Sequence, residues 1–405
     1  MQKTKQSQAG FVALMAALMS VTALAIDALL PALDTIGIAI GTETPADNQL
    51  LITMIFMGLG IGPLVFGPLS DAYGRKPSVY IGFAIFILAS FICVHAESLG
   101  VMIIGRLLQG VGLSAPRTIC IAIIRDLFDG DYMARIMSFV TVVFLLVPIV
   151  APAMGKVILD AYDWQSIFYV QVIISLLVAL WFWRGQRETL IEEKRIPFGT
   201  KRIIKGFKET IKYKRTMGFT IIQGFIVGSF LVYLSASQQI FEVQYGLKEE
   251  FPYIFASLAI AIGCAIFLNG SFVVRFGMEK LVTLALIGFF IISLLYLILF
   301  YQGNRPEVLM LIGFFALQFF FIGFLFGNLR ALAMQPVGHI AGIGAAITGL
   351  ISTLMAVPIS TFIGRYVEFT TYPLFIGFSV CAGISLVILY FLKRDAKANL
   401  VLKTS

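Results

Sequence analysis

Three charged residues lie inside long apolar stretches of the sequence, where a charge is energetically unfavourable. They are Asp27, Arg106 and Arg117. Asp27 is the carboxylate placed deep in such a stretch, and a carboxylate inside a membrane is expected to face the interior of a helix bundle or to bind a proton. It could therefore exchange protons or recognise a substrate. The alternative is a structural carboxylate that is held by a fixed cation.

The two arginines are predicted to lie on one face of one helix. Arg117 follows Arg106 by about three helical turns, roughly 16 Å along the axis. Arg106 is expected at a depth similar to that of Asp27, so we predict that these two side chains are partners. Two arginines on one wall would favour an anionic or zwitterionic substrate, unless Arg117 reaches out to the membrane surface. The predicted substrate-binding residues are Asp27, Leu30, Arg106, Gly110, Leu113, Arg117 and Tyr233.

The composition requires these residues to be positioned by transmembrane helices. Of the 405 residues, 59% are hydrophobic and 13% are charged, whereas a soluble domain carries roughly 25% charged residues. The mean hydropathy is +0.94. These values exclude a soluble enzyme, a disordered chain and a disulfide-stapled secreted module. A β-barrel is excluded because the apolar residues come in long runs and do not alternate.

A helix needs about 20 apolar residues to cross the hydrocarbon core. The sequence contains twelve such stretches, at 10–32, 49–69, 78–95, 100–124, 135–159, 165–184, 217–240, 251–275, 280–300, 306–332, 340–363 and 372–392. The first follows Lys3 and Lys5 as a signal peptide would, but its apolar run is long enough to span, so we predict an uncleaved first span. Lys and Arg concentrate in the loops of one side, which predicts that both termini are cytoplasmic.

Six spans, a long basic connection and six more spans indicate a duplicated chain. The loops after spans 2 and 8 each contain two glycines with the same spacing, and Gly74 and Gly277 are equivalent. An internal repeat in a polytopic membrane protein is typical of a secondary transporter with its substrate site between the halves. The predicted organisation is an N-terminal six-helix half at 1–184, a basic cytoplasmic linker at 185–216 and a C-terminal six-helix half at 217–405.

The net charge of +8 is explained by this topology, and no nucleic-acid partner is predicted. Much of the basic charge lies in the linker. That segment either rests on the anionic inner leaflet as an amphipathic segment or is a solvated connection between the halves. Both interpretations remain open from the sequence.

Several motifs carry a resemblance to a known family. The string GPLSDAYGRKP at 67–77 resembles the signature loop of the major facilitator superfamily, and GRLLQGVGLSA at 105–115 resembles its span-4 motif. The narrower resemblance is to the Bcr/CflA-like branch of drug:proton antiporters. It is carried by Ile26-Asp27, Leu30 to Leu33, Arg125-Asp126, Met137 to Phe139, Pro148 to Gly155 and His339 to Gly342. The resemblance implies an all-α transmembrane bundle of twelve helices in two pseudo-symmetric halves.

The loop at 67–77 is predicted to act as a cytoplasmic gate. Gly67 and Gly74 would permit close helix approach and a tight turn. Asp71 would meet a helix amino terminus, and Arg75 could pair with Asp126. The resemblance implies that this cluster holds the cytoplasmic side closed. A turn that only sets the topology, with solvated charges, is the alternative.

Span 5 contains Pro148, Pro152 and Gly155, which resemble the antiporter motif. Proline removes a backbone hydrogen bond, so this motif predicts a helix bend. Ala153 and Lys156 depart from the residues usual in the motif, which weakens the antiporter interpretation without removing it.

Together these features predict proton-coupled export of drug-like or amphipathic small molecules across a bacterial inner membrane by alternating access. The proton is the coupling ion, and no other cofactor, no metal and no enzymatic activity are predicted. The chain is expected to work as a monomer in membrane lipid. One alternative is a dedicated transporter of a single anionic or zwitterionic metabolite or siderophore-like compound. Another is a receptor or scaffold without transport.

Overall fold

A computed structural model describes residues 7–301 and 305–404, and within these ranges the chain is helical without a β-strand. Eleven continuous stretches of the described chain are long and apolar enough to cross a membrane. One of them, Val308–Gly364, contains two long helices joined by a 3-10 turn. The described residues therefore supply a helix for each of the twelve predicted spans.

The chain divides into two compact units, Met1–Thr200 and Lys201–Ser405. The described part of unit 1 contains the α-helices α1 (Gln8–Asp27), α2 (Leu33–Ile40), α3 (Pro45–Tyr73), α4 (Arg75–Val94), α5 (Leu99–Leu127), α6 (Gly130–Ala161) and α7 (Trp164–Gly185). Short 3-10 turns lie at Leu30–Ala32 and Glu192–Lys194. The first span is thus made of two helices, α1 and α2, with a 3-10 turn between them.

Unit 2 begins with the short helix α8 (Thr200–Lys212), whose first residue falls at the unit boundary. The longer helices are α9 (Lys214–Gln238), α10 (Phe251–Phe276), α11 (Met278–Leu299), α12 (Val308–Met334), α13 (Ala341–Gly364) and α14 (Tyr372–Thr404). A π-helical segment, Gln239–Gln244, extends α9, and the 3-10 turn Gln335–Ile340 joins α12 to α13.

Polar side chains cap helix starts where the backbone amides have no helical acceptor. The Ser7 hydroxyl accepts a hydrogen bond from the Gly10 amide at 3.2 Å. Asp47 accepts from the Thr44 amide at 3.0 Å, and Asp163 accepts from the Ser166 amide at 2.8 Å.

The two units use the same set of helix pairings. In unit 1, α5 packs against α3 and α4, α1 packs against α5, α6 and α7, and α4 packs against α7. In unit 2, α12 packs against α10 and α11, α9 packs against α12, α13 and α14, and α11 packs against α14. Each pair in the first set corresponds in chain order to a pair in the second.

Small residues allow the closest of these pairings. A Cβ on Gly110 of α5 would lie 2.0 Å from the carbonyl oxygen of Ile55 in α3, and one on Gly58 would lie 2.2 Å from that of Leu107. Glycine at both positions lets the two backbones touch, as is common for helices in lipid. Gly110, predicted as a substrate-binding residue, is therefore occupied by the contact between α3 and α5.

Candidate functional site

The candidate site in unit 1 is built around a break in the first span. Helix α1 ends at Asp27, and the chain then passes through the 3-10 turn that contains Pro31. At this break the amide of Leu29 donates to the carbonyl of Ile26 at 3.4 Å. In a regular α-helix that amide would donate to Ala25. The carbonyl of Ala25 is therefore available to another donor.

Arg106 supplies that donor. Its Nη1 and Nη2 atoms both donate to the carbonyl of Ala25 at 3.2 Å, and its Nε donates to the carbonyl of Leu51 in α3 at 2.8 Å. Nη1 also donates to Gln109 Oε1 at 2.7 Å. The guanidinium is fully buried. A positive charge at the carboxyl end of a helix is favourable, so Arg106 stabilises the end of α1 just before Asp27.

The hydrogen bonds of Arg106 continue into α4. Gln109, which accepts from Arg106, donates through Nε2 to the hydroxyl of Ser90 at 2.8 Å. Ser90 in turn donates to the carbonyl of Phe86 in its own helix at 2.8 Å. Arg106 therefore ties together α1, α3, α4 and α5, and it fixes the backbone from which Asp27 projects.

The predicted pairing of Asp27 with Arg106 is wrong in this structure. Among the described residues, no hydrogen bond or ion pair connects the two side chains, because the guanidinium is committed to the main chain of α1 and α3. Asp27 itself is 5% exposed, and no cation of the described chain is paired with it. Arg106 is thus a neighbour that holds the helix end and not a counter-ion.

Gly155 of α6 reaches the same break from the other side. A Cβ at this position would lie 1.9 Å from the carbonyl oxygen of Ala28, the residue after Asp27. Helix α6 runs without interruption through Pro148 and Pro152. The span-5 motif predicted from the sequence therefore contacts the first span directly beside its carboxylate.

The other predicted substrate-binding residues differ in their exposure. Leu30 and Leu113 are fully buried. Arg117 is half-buried on α5. The described chain contains no cluster of three His, Cys, Asp or Glu side chains that could hold a metal ion.

Tyr233 lies in unit 2 inside a cluster of aromatic rings. Its ring centroid lies 4.5 Å from that of Phe319, 5.0 Å from that of Phe315 and 6.4 Å from that of Phe255. The residue is 2% exposed, and its hydroxyl has no hydrogen-bond partner among the described atoms. A buried hydroxyl without a partner is costly and marks a position that a polar ligand group could satisfy.

A second group of residues forms a compact network, which we call the loop cluster: Ser70, Asp71, Arg75, Asp126 and Glu188. Asp71, Arg75 and Asp126 were predicted from the sequence. Arg75 is the centre, with Nη1 2.7 Å from Asp71 Oδ1 and Nε 2.9 Å from Asp126 Oδ2. Nη1 also donates to the Ser70 hydroxyl at 2.9 Å. The Arg75 side chain is 8% exposed, against 20% for Asp126 and 40% for Asp71. Arg75 and Asp126 pair as the sequence predicted.

Sequence reasoning missed Glu188, which lies more than a hundred residues beyond the signature loop. Glu188 Oε1 accepts from the Arg75 amide and Oε2 from the Lys76 amide, both at 2.9 Å. These amides open α4, so the carboxylate caps the helix and meets the positive end of its dipole. The segment that follows adds two more bonds, from the Thr189 hydroxyl to Asp126 and from the Ile196 amide to the Asp71 carbonyl. Glu188 is one of four glutamates in the linker, with Glu192, Glu193 and Glu209, so the sequence did not distinguish it.

The two glycines of the signature loop differ. Gly74 has a φ of 107°, and a Cβ there would lie 2.7 Å from Glu188 Oε2, so both its conformation and its space require glycine. Around Gly67, no described atom outside its own stretch of helix lies within 4 Å of the position of a Cβ. Among the described residues, the close approach predicted at Gly67 is therefore absent, and the tight contacts of α3 fall earlier, on Gly58 and on Gly62.

Comparison with known proteins identifies the family. Residues 11–359 match the model of the Major Facilitator Superfamily. The chain is 29% identical over 364 residues to a "Bicyclomycin resistance protein homolog" of Haemophilus influenzae, covering 88% of this chain and 89% of that protein. It is 28% identical over 327 residues to the "Multidrug resistance protein MdtL" of Shewanella oneidensis, covering 80% and 81%.

A solved structure has the same fold. The crystal structure of a D-xylose-proton symporter superposes with a TM-score of 0.70 at 14% identity, covering 95% of this chain and 96% of that one. The chain belongs to the major facilitator superfamily, a family of membrane transporters. The two resistance-protein relatives confirm the resemblance to the Bcr/CflA-like branch that its motifs predicted.

Proposed function

We propose that this chain exports drug-like, amphipathic small molecules from the bacterial cytoplasm in exchange for protons. The observation that carries the proposal is Asp27, a buried carboxylate at the end of a broken helix without a cation paired to it in the described chain. A charged carboxylate in such surroundings is costly, and binding a proton removes that cost. A cationic or hydrogen-bonding substrate group would remove it equally well. Proton and substrate would therefore compete for one group.

The neighbours of Asp27 suit this competition. Arg106 holds the carbonyl of Ala25 and so keeps the end of α1 in place while the carboxylate gains or loses its proton. Gly155 lets α6 touch the carbonyl of Ala28. A displacement of α6 would therefore move the helix break. Through this contact the conformational change would reach Asp27.

The direction and the topology are part of the proposal. We place both termini and the loop cluster in the cytoplasm, in the inner membrane, on the bias of Lys and Arg toward the loops of one side. The matching helix pairings of the two units support two pseudo-symmetric six-helix halves joined by a basic linker. The loop cluster, extended by Glu188, would hold the cytoplasmic side closed. We expect the monomer to be the working unit.

Drug export is favoured over the dedicated anion transporter. That alternative rested on a wall with two arginines available to an anionic substrate. Arg106 is fully buried and donates to two carbonyls and to Gln109, so its guanidinium is already occupied. The relatives that carry resistance names support the same choice.

Purified protein in liposomes with an imposed pH gradient would test the proposal. Bicyclomycin would be the first compound because one relative bears its name, followed by a panel of amphipathic drugs and small organic anions. We expect wild-type flux of at least one drug to follow the gradient and Asp27→Asn to abolish it. Asp160→Asn is the matched control, since Asp160 is a half-exposed carboxylate at the end of α6. Gradient-driven flux that survives Asp27→Asn would remove Asp27 from the mechanism.

A further inference from the structure

The short helix α8 presents three different faces. On a helical wheel of about 100° per residue, Ile203, Gly206 and Thr210 fall within an arc of about 60°. Ile204, Phe207 and Ile211 form a second arc of about 60°, and Lys201, Lys205, Lys208 and Lys212 form a third. The apolar arc lies between the other two, about 100° from each. This arrangement differs from a helix with one apolar and one polar side.

The first face is docked on unit 2. Gly206 and Thr210 are buried, and a Cβ on Gly206 would lie 2.5 Å from Ile343 Cγ2 near the start of α13. Glu209 forms a hydrogen bond with His339 at 2.6 Å, which holds the pKa of the Glu209 carboxyl below its usual range. Helix α9 begins only one residue after α8 ends. The helix is therefore fixed at the inner end of the spans of its own unit.

The second face has no cover in unit 2. Ile204 is 54% exposed, Phe207 is 38% exposed and Ile211 is 43% exposed. Their spacing places them in a single stripe along the helix. Three large apolar side chains in one exposed stripe indicate a surface that meets an apolar partner.

The third face selects that partner. The four lysines are all exposed and lie on the side of the apolar stripe that is away from the docked face. If the stripe dips into the acyl region beside the bundle, the lysines point outward at the level of the lipid headgroups. Long lysine side chains reach headgroups from such a position. A row of lysines at the inner surface of a membrane attracts anionic lipid.

We propose that α8 is an anionic-lipid-binding helix, which inserts Ile204, Phe207 and Ile211 into the inner leaflet and binds acidic headgroups with its four lysines. The inference uses the proposed cytoplasmic position of the linker but does not depend on the substrate or on proton coupling. Lipid charge then acts on α13 and on the α12–α13 turn, because these are the elements on which α8 is docked. The linker is an interfacial element and not only a connection.

The test is hydrogen–deuterium exchange of the full chain in nanodiscs. One set contains only phosphatidylcholine, and the other contains phosphatidylcholine with phosphatidylglycerol. Each lysine at an anionic surface contributes about a fivefold change in binding. We therefore expect exchange in residues 200–212 to slow by roughly tenfold or more in the anionic discs. No such change is expected in the segment around Lys248, which lies on the opposite side in the proposed topology.

Two variants separate the parts of the proposal. Replacing all four lysines by glutamine should abolish the difference between the two lipids. Replacing Ile204, Phe207 and Ile211 by serine should give fast exchange in both lipids. Equal exchange of the wild type in both lipids would overturn the proposal. A difference between the two lipids that persists after the four lysines are replaced would also overturn it, because the lysines would then not be its source. Neither outcome requires transport, so the result is independent of the proposed export.

Discussion

The turn between α3 and α4 and the turn between α10 and α11 share the backbone conformation of one glycine. The side chains around the two glycines differ. Gly74 has φ 107° and ψ 161°, and Gly277 has φ 79° and ψ 152°. Each glycine is the one residue between two long helices. Residues other than glycine are strained in this conformation, so the repeated glycine fixes the turn in both units.

The side chains at the two turns are not alike. Beside Gly74, the buried guanidinium of Arg75 binds Asp71 and Asp126. Near Gly277, the equivalent of Asp71 is Val274, which is 87% exposed, and Glu279 pairs with Arg215 across a half-exposed surface. The turn itself therefore needs only the glycine. The charge network around Arg75 is a separate feature of unit 1.

Replacing Arg75 by methionine, the residue at the equivalent position 278, should have the largest effect. Removing one partner of a buried pair leaves an uncompensated charge and should cost about 3 kcal/mol. Denaturation of the purified protein in detergent would measure the loss. The double variant Arg75→Met with Asp126→Leu should recover most of it, because no unpaired carboxylate then remains at position 126. An unchanged stability in the single variant would contradict the central place of Arg75.

Alanine at the two glycines should separate the turn from its surroundings. Both Gly74→Ala and Gly277→Ala should cost about 2 kcal/mol through backbone strain. Gly74→Ala should cost about 1 kcal/mol more, because the new methyl group displaces the Glu188 carboxylate from the helix start. The same denaturation measurement in a Glu188→Ala background should make the two glycines equivalent. A difference that persists in that background would mean that Glu188 is not its source.

Glu188→Gln tests the missed residue by itself. The neutral amide has one oxygen acceptor, so it can serve only one of the two backbone amides that Glu188 now binds, those of Arg75 and Lys76. It also loses the attraction to the helix dipole, so a destabilisation of about 1 kcal/mol is expected. In the Glu188→Gln variant, a cysteine introduced near the loop cluster should also react faster than in the wild type with a labelling reagent added on the side proposed to be cytoplasmic. Glu193→Gln is the matched control, since Glu193 is exposed in the same segment. Equal effects of the two substitutions would remove Glu188 from the cluster.

Glu279→Gln should have the smallest effect. Its partner Arg215 is 39% exposed and Glu279 is 41% exposed, and exposed pairs contribute about 0.5 kcal/mol or less. Thermal unfolding should therefore hardly change, and neither should cysteine labelling near the loop cluster. A loss of stability as large as that of Arg75→Met would show that the pair of Glu279 with Arg215 stabilises its turn as strongly as the Arg75 network stabilises the first turn.

The sequence was sufficient for the elements whose signal is local. Apolar length located the twelve spans, and the charges of the signature loop identified the pair of Arg75 with Asp126. The sequence shows that Gly277 repeats Gly74, and in the structure both glycines have a positive φ. The spans depend on residues that are close in the chain. Asp126 lies 51 residues from Arg75, so their pair, like the repeated glycine, was predictable only because the residues belong to recognisable motifs.

The features that the sequence could not supply depend on backbone detail or on distant contacts. The predicted pair of Asp27 with Arg106 is absent from the described residues because the Leu29 amide bonds to Ile26 and leaves the carbonyl of Ala25 for Arg106. No pattern of side chains in the sequence indicates that shift. Glu188 was missed because its partners are amides of a helix far away in the chain. Gly67 and Gly74 look equivalent in the motif, and only packing distinguishes them.

The central claim is that proton and substrate compete for Asp27. It can be tested by adding substrate to the purified protein in weakly buffered detergent solution and recording the proton release. Substrate binding should release a proton from the wild type, and Asp27→Asn should bind substrate without releasing one. Proton release of equal size from Asp27→Asn would contradict the competition at Asp27, because another group would then be the coupling site.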